Sequence, residues 1–297
     1  MPKNVFVAIV GRPNVGKSSL LNQLLGEKIA IVSDKPQTTR NRITGVLTRD
    51  ETQYVFIDTP GMHKPKSKLG QFMVRQAGGS VADVDVAVLV TEWDTPIALV
   101  ERQLTENFAS NQVPAILAVN KIDMLKQKNL MFEKIAAFSA VYGFAAVVPI
   151  SARTGDGVDV LLGEIEHFCS EGPHFFDDDT LTDQPERAIV AEIIREKLLR
   201  NLRDEVPHGI AVVIEKMHER EDGSMVDIEA IIICERESHK GMVIGKAGAM
   251  LKKIATEARI ECEAFLATKV NLQCWVKVRE GWRDNDTQLK NFGYREE

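Results

Sequence analysis

Four cysteines stand in 297 residues, and no two of them form a close pair. Cys169, Cys234, Cys262 and Cys274 are thus spaced for neither zinc ligation nor a CxxC redox motif. Cys234 and Cys274 lie within apolar runs, where a cysteine packs as a small core residue. None of the six histidines accompanies a nucleophile motif, so histidine catalysis has no support, and His174 reads as a linker residue. No apolar run approaches the length of a bilayer-spanning helix. Met1-Pro2-Lys3-Asn4 leads directly into an apolar strand rather than a signal peptide, so a cytoplasmic protein is expected, with peripheral contact at the inner face of the membrane left open and unsupported. Excess positive charge is absent as well: 37 Lys and Arg against 43 Asp and Glu leave a formal charge of -6. That acidity lends no support to nucleic-acid binding, although it leaves room for a local basic face. The remaining composition, 44% hydrophobic and 27% charged, carries no mark of disorder, and the length suits two domains.

What is present is a phosphate-binding pattern. Gly11-Arg12-Pro13-Asn14-Val15-Gly16-Lys17-Ser18 follows the apolar run from Val5 to Val10 and precedes helically spaced Ser19-Leu20-Leu21-Asn22-Gln23-Leu24-Leu25. Strand, glycine-rich turn and helix in that order form a phosphate cradle, with backbone N–H groups turned inward on phosphate oxygens. Lys17 adds a mobile positive charge for the terminal phosphates, and Ser18, near the positive end of the helix, can hold magnesium.

Downstream, Ser33 to Arg42 is a polar loop containing Thr38 and Thr39. A loop threonine after such a cradle can complete the metal shell only while the last phosphate is present, and Thr39 is the expected one, with Thr38 its rival. Ile43 to Thr48 and Tyr54 to Ile57 read as paired strands, the second delivering Asp58-Thr59-Pro60-Gly61. Asp58 is expected to orient magnesium through water, and Gly61 to offer its N–H to the terminal phosphate and free the basic loop from Met62 to Lys68. After further strand and helix signals, Val113 to Val119 runs into Asn120-Lys121-Ile122-Asp123. Asp123 can accept from N1 and the 2-amino group of guanine, a donor pair that adenine lacks, and leaving that carboxylate unpaired against adenine discriminates between them. Asn120 can bond the purine edge and tie its loop to the cradle, and Lys121 can lay its stem over the base. Backbone N–H groups of Ser151-Ala152-Arg153 can approach the guanine oxygen. The whole describes an α/β domain over 1–171 with a mostly parallel sheet and ligand residues at strand C-termini.

An acidic, proline-containing stretch over 172–184 reads as a linker to a smaller α+β domain over 185–297. Helical spacing from Glu186 to Arg203 is followed by two strand-like runs split by Asp222-Gly223. Gly245-Lys246-Ala247-Gly248 then sits between apolar Val243-Ile244 and a helix bearing Lys252 and Lys253, and a third strand follows at Val270 to Val278. This is the GxxG loop of a KH module, whose glycines let a nucleic-acid backbone approach helix N–H donors and Lys246. Helix, strand, strand, helix, helix, strand is the order of the prokaryotic-type KH fold. From Trp282 to Tyr294 a terminal helix and turn either packs on the domain or contacts RNA.

With GRPNVGKS, PQTTR, DTPG, NKID and SAR followed by this KH module, the chain resembles translational-type GTPases and, over essentially its full length, the Era family of ribosome-assembly GTPases. The resemblance implies GTP hydrolysis to GDP with Mg2+, coupled to maturation of the 30S subunit, with the C-terminal domain on the 3′ end of small-subunit ribosomal RNA. A monomer is expected. Related GTPases with an asparagine in the cradle hold potassium near the phosphates, and Asn14 matches that asparagine. Met62 stands where Ras-like proteins carry a water-positioning glutamine, so catalysis must draw on another group. Ala247, and Thr256 where the family often has glycine, depart from the commonest form. Two rival functions use the same residues: a GTPase acting on transfer RNA or a membrane cargo, and an RNA-binding assembly protein with a merely structural nucleotide site.

Overall fold

The computed structural model describes residues 1–62, 65, 67–79, 84–125 and 127–294, without the side chain of Lys128. His63, Lys64 and Lys66 of the basic loop lie outside the described residues. Contacts divide the chain into two units.

The first unit holds Met1–Ala30, Thr39–Pro65 and Gly70–Asp183. Its strands are β1 (Lys3–Gly11), β2 (Ile43–Arg49), β3 (Thr52–Asp58), β4 (Val86–Glu92), β5 (Ala115–Asn120), β6 (Ala146–Pro149) and β7 (Ser170–Glu171). They run in the order β2-β3-β1-β4-β5-β6, with β7 antiparallel on the start of β1. The β2–β3 pair is antiparallel, while β3, β1, β4, β5 and β6 are parallel to their neighbours. Central parallel strands are buried on both faces, which is why they read as unbroken apolar runs rather than as alternations. Side chains still alternate between the two faces. Val5, Val7 and Ile9 join one core with Leu20 and Leu24 of helix α1 (Lys17–Leu25) and Leu161 and Ile165 of α5 (Val158–Glu166). Ala8 and Val10 face a second core with Leu104 and Phe108 of α3 (Leu99–Asn111) and Phe138 of α4 (Lys128–Ser139). Helix α2 (Lys68–Gly79) follows the basic loop. Every strand whose following loop carries a motif residue ends on the same side of this sheet, which gathers the site.

The stretch after β7 is fastened to this unit. Gln53 Nε2 donates to the Phe176 carbonyl at 2.9 Å, and its Oε1 accepts from the N–H groups of Phe175 (2.8 Å) and Phe176 (3.0 Å). Leu181 and Thr182 bond to edge strand β2, the Val46 N–H donating to the Leu181 carbonyl at 2.8 Å. The exposed edge of β2 is thereby covered, a common guard against edge-to-edge pairing.

The second unit holds Gln184–Glu297 together with Ile31–Thr38 and Lys66–Leu69. Helix α6 (Glu186–Asn201) precedes β8 (Ala211–Glu219) and β9 (Val226–Cys234), joined through a turn in which Gly223 has φ 66°. Helices α7 (Glu237–Ile244) and α8 (Ala249–Leu266) and strand β10 (Val270–Val278) follow. Strand β9 lies between β8, antiparallel, and β10, parallel. Alternate residues Ile228, Ala230, Ile232 and Cys234 pack with Ile193, Ile194, Ile254 and Ala258 of α6 and α8. The terminal stretch packs on the domain. Trp282 is fully buried, its Nε1 donating to the Gly209 carbonyl at 3.0 Å, and Tyr294 stacks on it. Helix α6 also carries three consecutive buried charges. Glu196 accepts from the Val32 N–H at 3.0 Å and pairs with Lys197 and Arg200, while Arg195 donates to the Thr38 carbonyl.

Candidate functional site

The turn between β1 and α1 places Gly16 at φ 100° as the residue before the helix, so α1 opens with its free N–H groups toward the cradle. Asn14 also takes a left-handed conformation, φ 65°. Lys17 is buried and its Nζ donates to the Arg12 carbonyl at 2.9 Å. Ser18 Oγ donates to Asp58 Oδ2 at 2.6 Å and lies 2.7 Å from Thr39 Oγ1. Asp58 has no exposed surface, and its Oδ1 is buried without a hydrogen-bond partner. Two hydroxyls and an orphaned carboxylate oxygen suit a hard divalent cation, which takes its remaining ligands from phosphate and water. Thr39 and Thr38 separate cleanly here. Thr38 Oγ1 donates to the Lys35 carbonyl at 2.6 Å and caps its own turn.

Burial sets the electrostatics of the pair beneath the phosphates. It lowers the Lys17 ammonium to about 8, opposed by the Asp58 charge. Burial likewise raises Asp58 to about 6, opposed by Lys17 and by hydrogen bonds from Ser18, Thr39 and the Thr59 backbone. The Asp58 value lies above that of a free aspartate, so between about pH 4 and 6 the folded protein keeps a proton that the unfolded chain has released. The Asp58 contribution to stability therefore falls as pH rises through that window. We expect Asp58→Asn to stabilise the ligand-free protein increasingly from pH 4 to 6, by about 2–3 kcal/mol at most. Urea melts of the two proteins across that range check it, and a pH-independent difference would contradict the shift.

Gly61 departs from the expectation of loop freedom. A Cβ there would stand 2.7 Å from both N and Cα of Pro13, so what the position requires is close approach of the DTPG turn to the cradle. Arg12 also differs from a simple phosphate-facing residue. Its Nε donates to Glu101 Oε1 at 3.1 Å and its Nη2 to Thr95 Oγ1.

The base-side loops are cross-tied. Asn120 is buried, its Nδ2 donating to the Val15 carbonyl at 2.7 Å and its Oδ1 accepting from the Lys121 N–H at 2.7 Å and the Ala152 N–H at 2.9 Å. One side chain thus joins the cradle, the NKID turn and the SAR turn. Lys121 Nζ donates to the Asn14 carbonyl at 3.0 Å and pairs with Glu92, and Trp93 Nε1 donates to the Lys121 carbonyl. Asp123 accepts from Ser151 Oγ at 2.7 Å through Oδ1 and from Arg153 Nη2 at 2.7 Å through Oδ2. Ser19 is half-buried on the first turn of α1, Pro13 lies against Gly61, and Met62 packs against the α3 side of the core. Glu92, Trp93 and Glu101 are site residues that no motif marks. Glu92 ends β4, Trp93 follows it and Glu101 lies in the first turn of α3, and only the fold carries them to the motif loops.

In the second unit, Gly245 (φ 72°), Ala247 (φ 49°) and Gly248 (φ 79°) curl the loop between α7 and α8. Lys246, Lys252 and Lys253 are exposed beside or just beyond it, and α8 opens at Ala249. The two glycines are not equivalent. A Cβ at Gly245 would stand 2.6 Å from Met250 Cβ, whereas one at Gly248 meets nothing within 4 Å.

Fold and site together define a P-loop GTPase joined to a KH module. Residues 6–121 match the model of the family described as 50S ribosome-binding GTPase, and residues 205–283 match the KH domain model. GTPase Era of Clostridioides difficile is 51% identical over 296 residues, covering all of both chains. GTPase Era of Caldanaerobacter subterraneus is 53% identical over 289 residues, 97% of each. The chain belongs to the Era family of GTPases. Two solved Era structures superpose closely, both at 38% identity. A variant from Aquifex aeolicus bound to GDP and AlF4- gives a TM-score of 0.94, covering 98% of this chain and 99% of its own. An Era complex with MgGDPNP and nucleotides 1506–1542 of 16S ribosomal RNA gives 0.95, covering 99% of both chains. Among the described residues, no helix is long and apolar enough to cross a membrane.

Proposed function

We propose that this chain binds and hydrolyses Mg2+·GTP in its first unit and binds the 3′ end of small-subunit ribosomal RNA through its KH loop, in assembly of the 30S subunit. The observation that carries it is one chain holding both the Ser18–Thr39–Asp58 cluster and the Gly245–Gly248 loop, with a 38% identical Era relative solved on MgGDPNP and a 16S ribosomal RNA fragment. Ser18, Thr39 and Asp58 would hold the magnesium ion, which supplies charge neutralisation between the phosphates. Lys17 meets the terminal phosphates, Gly61 presents its N–H to the last one, and Asp123 reads guanine. Lys246, Lys252 and Lys253 meet the RNA backbone. Asn14 is assigned to potassium on the match of its residue type alone. The protein acts as a cytoplasmic monomer, and no membrane contact is assigned.

The RNA reading is tested in cells by crosslinking and sequencing bound RNA, comparing wild type with Gly248→Asp. Gly248 is the better position because its Cβ direction is open, so the substitution adds charge and bulk to the loop without displacing Met250. RNA affinity should fall at least about tenfold through lost charge-assisted backbone contacts, with GTP affinity nearly unchanged. A peak at the small-subunit RNA 3′ end, lost in the variant, supports the reading. Predominant transfer RNA overturns the target, and an unchanged profile overturns the surface.

A further inference from the structure

Glu101 has no exposed surface, yet it is an acidic residue in the first turn of α3, 89 residues from the cradle residue that it meets. Its Oε2 accepts from the Ala98 N–H at 2.7 Å, as a helix-capping carboxylate does. Capping needs no burial, and burying a carboxylate costs several kcal/mol unless charge and hydrogen bonds offset it. Here Oε1 accepts from Thr91 Oγ1 at 2.7 Å and from Arg12 Nε at 3.1 Å, and Arg12 is its ion-pair partner. The Arg12 side chain is 22% exposed and is held a second time by Thr95, whose carbonyl accepts from Lys134 Nζ. The backbone carbonyl of the same Arg12 accepts the hydrogen bond from Lys17 Nζ. A buried charge on α3 therefore fixes, through one guanidinium, the peptide that aims the phosphate-binding lysine.

We infer that Glu101 is a positioning residue for GTP hydrolysis, acting through Arg12 on Lys17. The inference rests on the role of Lys17 proposed above. It predicts a split between kinetic constants. Small displacements of a group that stabilises transition-state charge lower kcat steeply, while ground-state affinity, carried largely by the base and the other phosphate contacts, moves little.

Glu101→Gln is the direct test. The amide keeps the volume and one acceptor oxygen for the Ala98 N–H, turns its NH2 to Thr91 Oγ1, which can accept, and removes the charge facing Arg12. Steady-state GTP hydrolysis by the full chain should show kcat lowered about tenfold, on the order of 1.4 kcal/mol, with KM within about threefold of wild type. Arg12→Gln should lose a similar factor, and the double variant no more than either single one, because both substitutions break one path. A merely structural role would lower the thermal midpoint without that split or that non-additivity. Wild-type kcat in Glu101→Gln, or multiplicative losses in the double variant, overturns the inference. Should Glu101→Gln fail to fold, Arg12→Gln alone decides, since wild-type kcat there overturns it equally. Lys17→Ala is measured alongside. Activity retained in that variant would defeat the role of Lys17 itself, whereas loss there with a normal Glu101→Gln defeats only the coupling.

Discussion

Lys17→Ala is expected to lower GTP hydrolysis at saturating GTP and magnesium by a factor of about 100 to 1000, the range for removing one preorganised charge stabiliser, with the fold retained. Phosphoryl transfer leaves little covalent chemistry for a protein to perform, so positioning and charge carry the rate. Two effects add in this variant. The terminal phosphates lose an ammonium aimed by the Arg12 carbonyl, and Asp58 loses the charge that holds its raised value down to about 6. Asp58 should then titrate still higher, competing with magnesium nearer neutral pH, so the variant should also need more magnesium to saturate. Met62→Ala should change the rate far less, because the side chain packs in the core and offers no polar group. Phosphate release checks both variants, and a Lys17→Ala rate comparable to wild type would refute the role. The same assay with sodium replacing potassium at fixed ionic strength reads the Asn14 assignment, which fails if the rate is unchanged.

The second large effect concerns the base. Asp123→Ala should weaken GTP binding by about 2–4 kcal/mol, the scale of leaving a buried donor pair without its acceptor. ATP, which lacks that donor pair, should be affected little. In the ligand-free chain the two carboxylate oxygens are occupied by Ser151 Oγ and Arg153 Nη2. Ser151 is fully buried, whereas the Arg153 side chain is 76% exposed and can swing away as guanine arrives. Calorimetry with both nucleotides measures the effect. Equal GTP and ATP affinities in the wild-type protein would sink the assignment of Asp123.

The motifs were legible because their chemistry is local. Phosphate binding uses consecutive N–H groups and a lysine at fixed spacing, and both strand-terminal signatures follow unbroken apolar runs that parallel strands, buried on both faces, produce. Helices α2 and α4 carry no such signature. Helix α2 shows only an ordinary apolar stripe, Leu69, Phe72, Met73 and Ala77, with no ligand residue to mark it, and α4 sets exposed Phe132 on its surface. Strand β7, at two residues, is too short for any periodicity.

Motif spacing alone points to the class of chemistry and singles out Lys17, Ser18, Asp58, Asn120, Asp123 and the GxxG loop as the residues expected to meet ligand. It also named both Thr38 and Thr39, and left the terminal stretch between packing and RNA contact. Folding sets their surroundings apart, because hydroxyl direction and burial are long-range outcomes. Thr39 turns to Ser18 while Thr38 caps its own turn, and Trp282 is covered because the Gly209 carbonyl meets its indole N–H. The fold alone also revealed that Gly61 is needed for its closeness to Pro13, and that Glu101, distant in sequence, grips the cradle through Arg12. Spacing along a chain encodes contacts within a turn or a helix. A contact across 89 residues exists only once the sheet has brought the ends of β1 and β4 side by side.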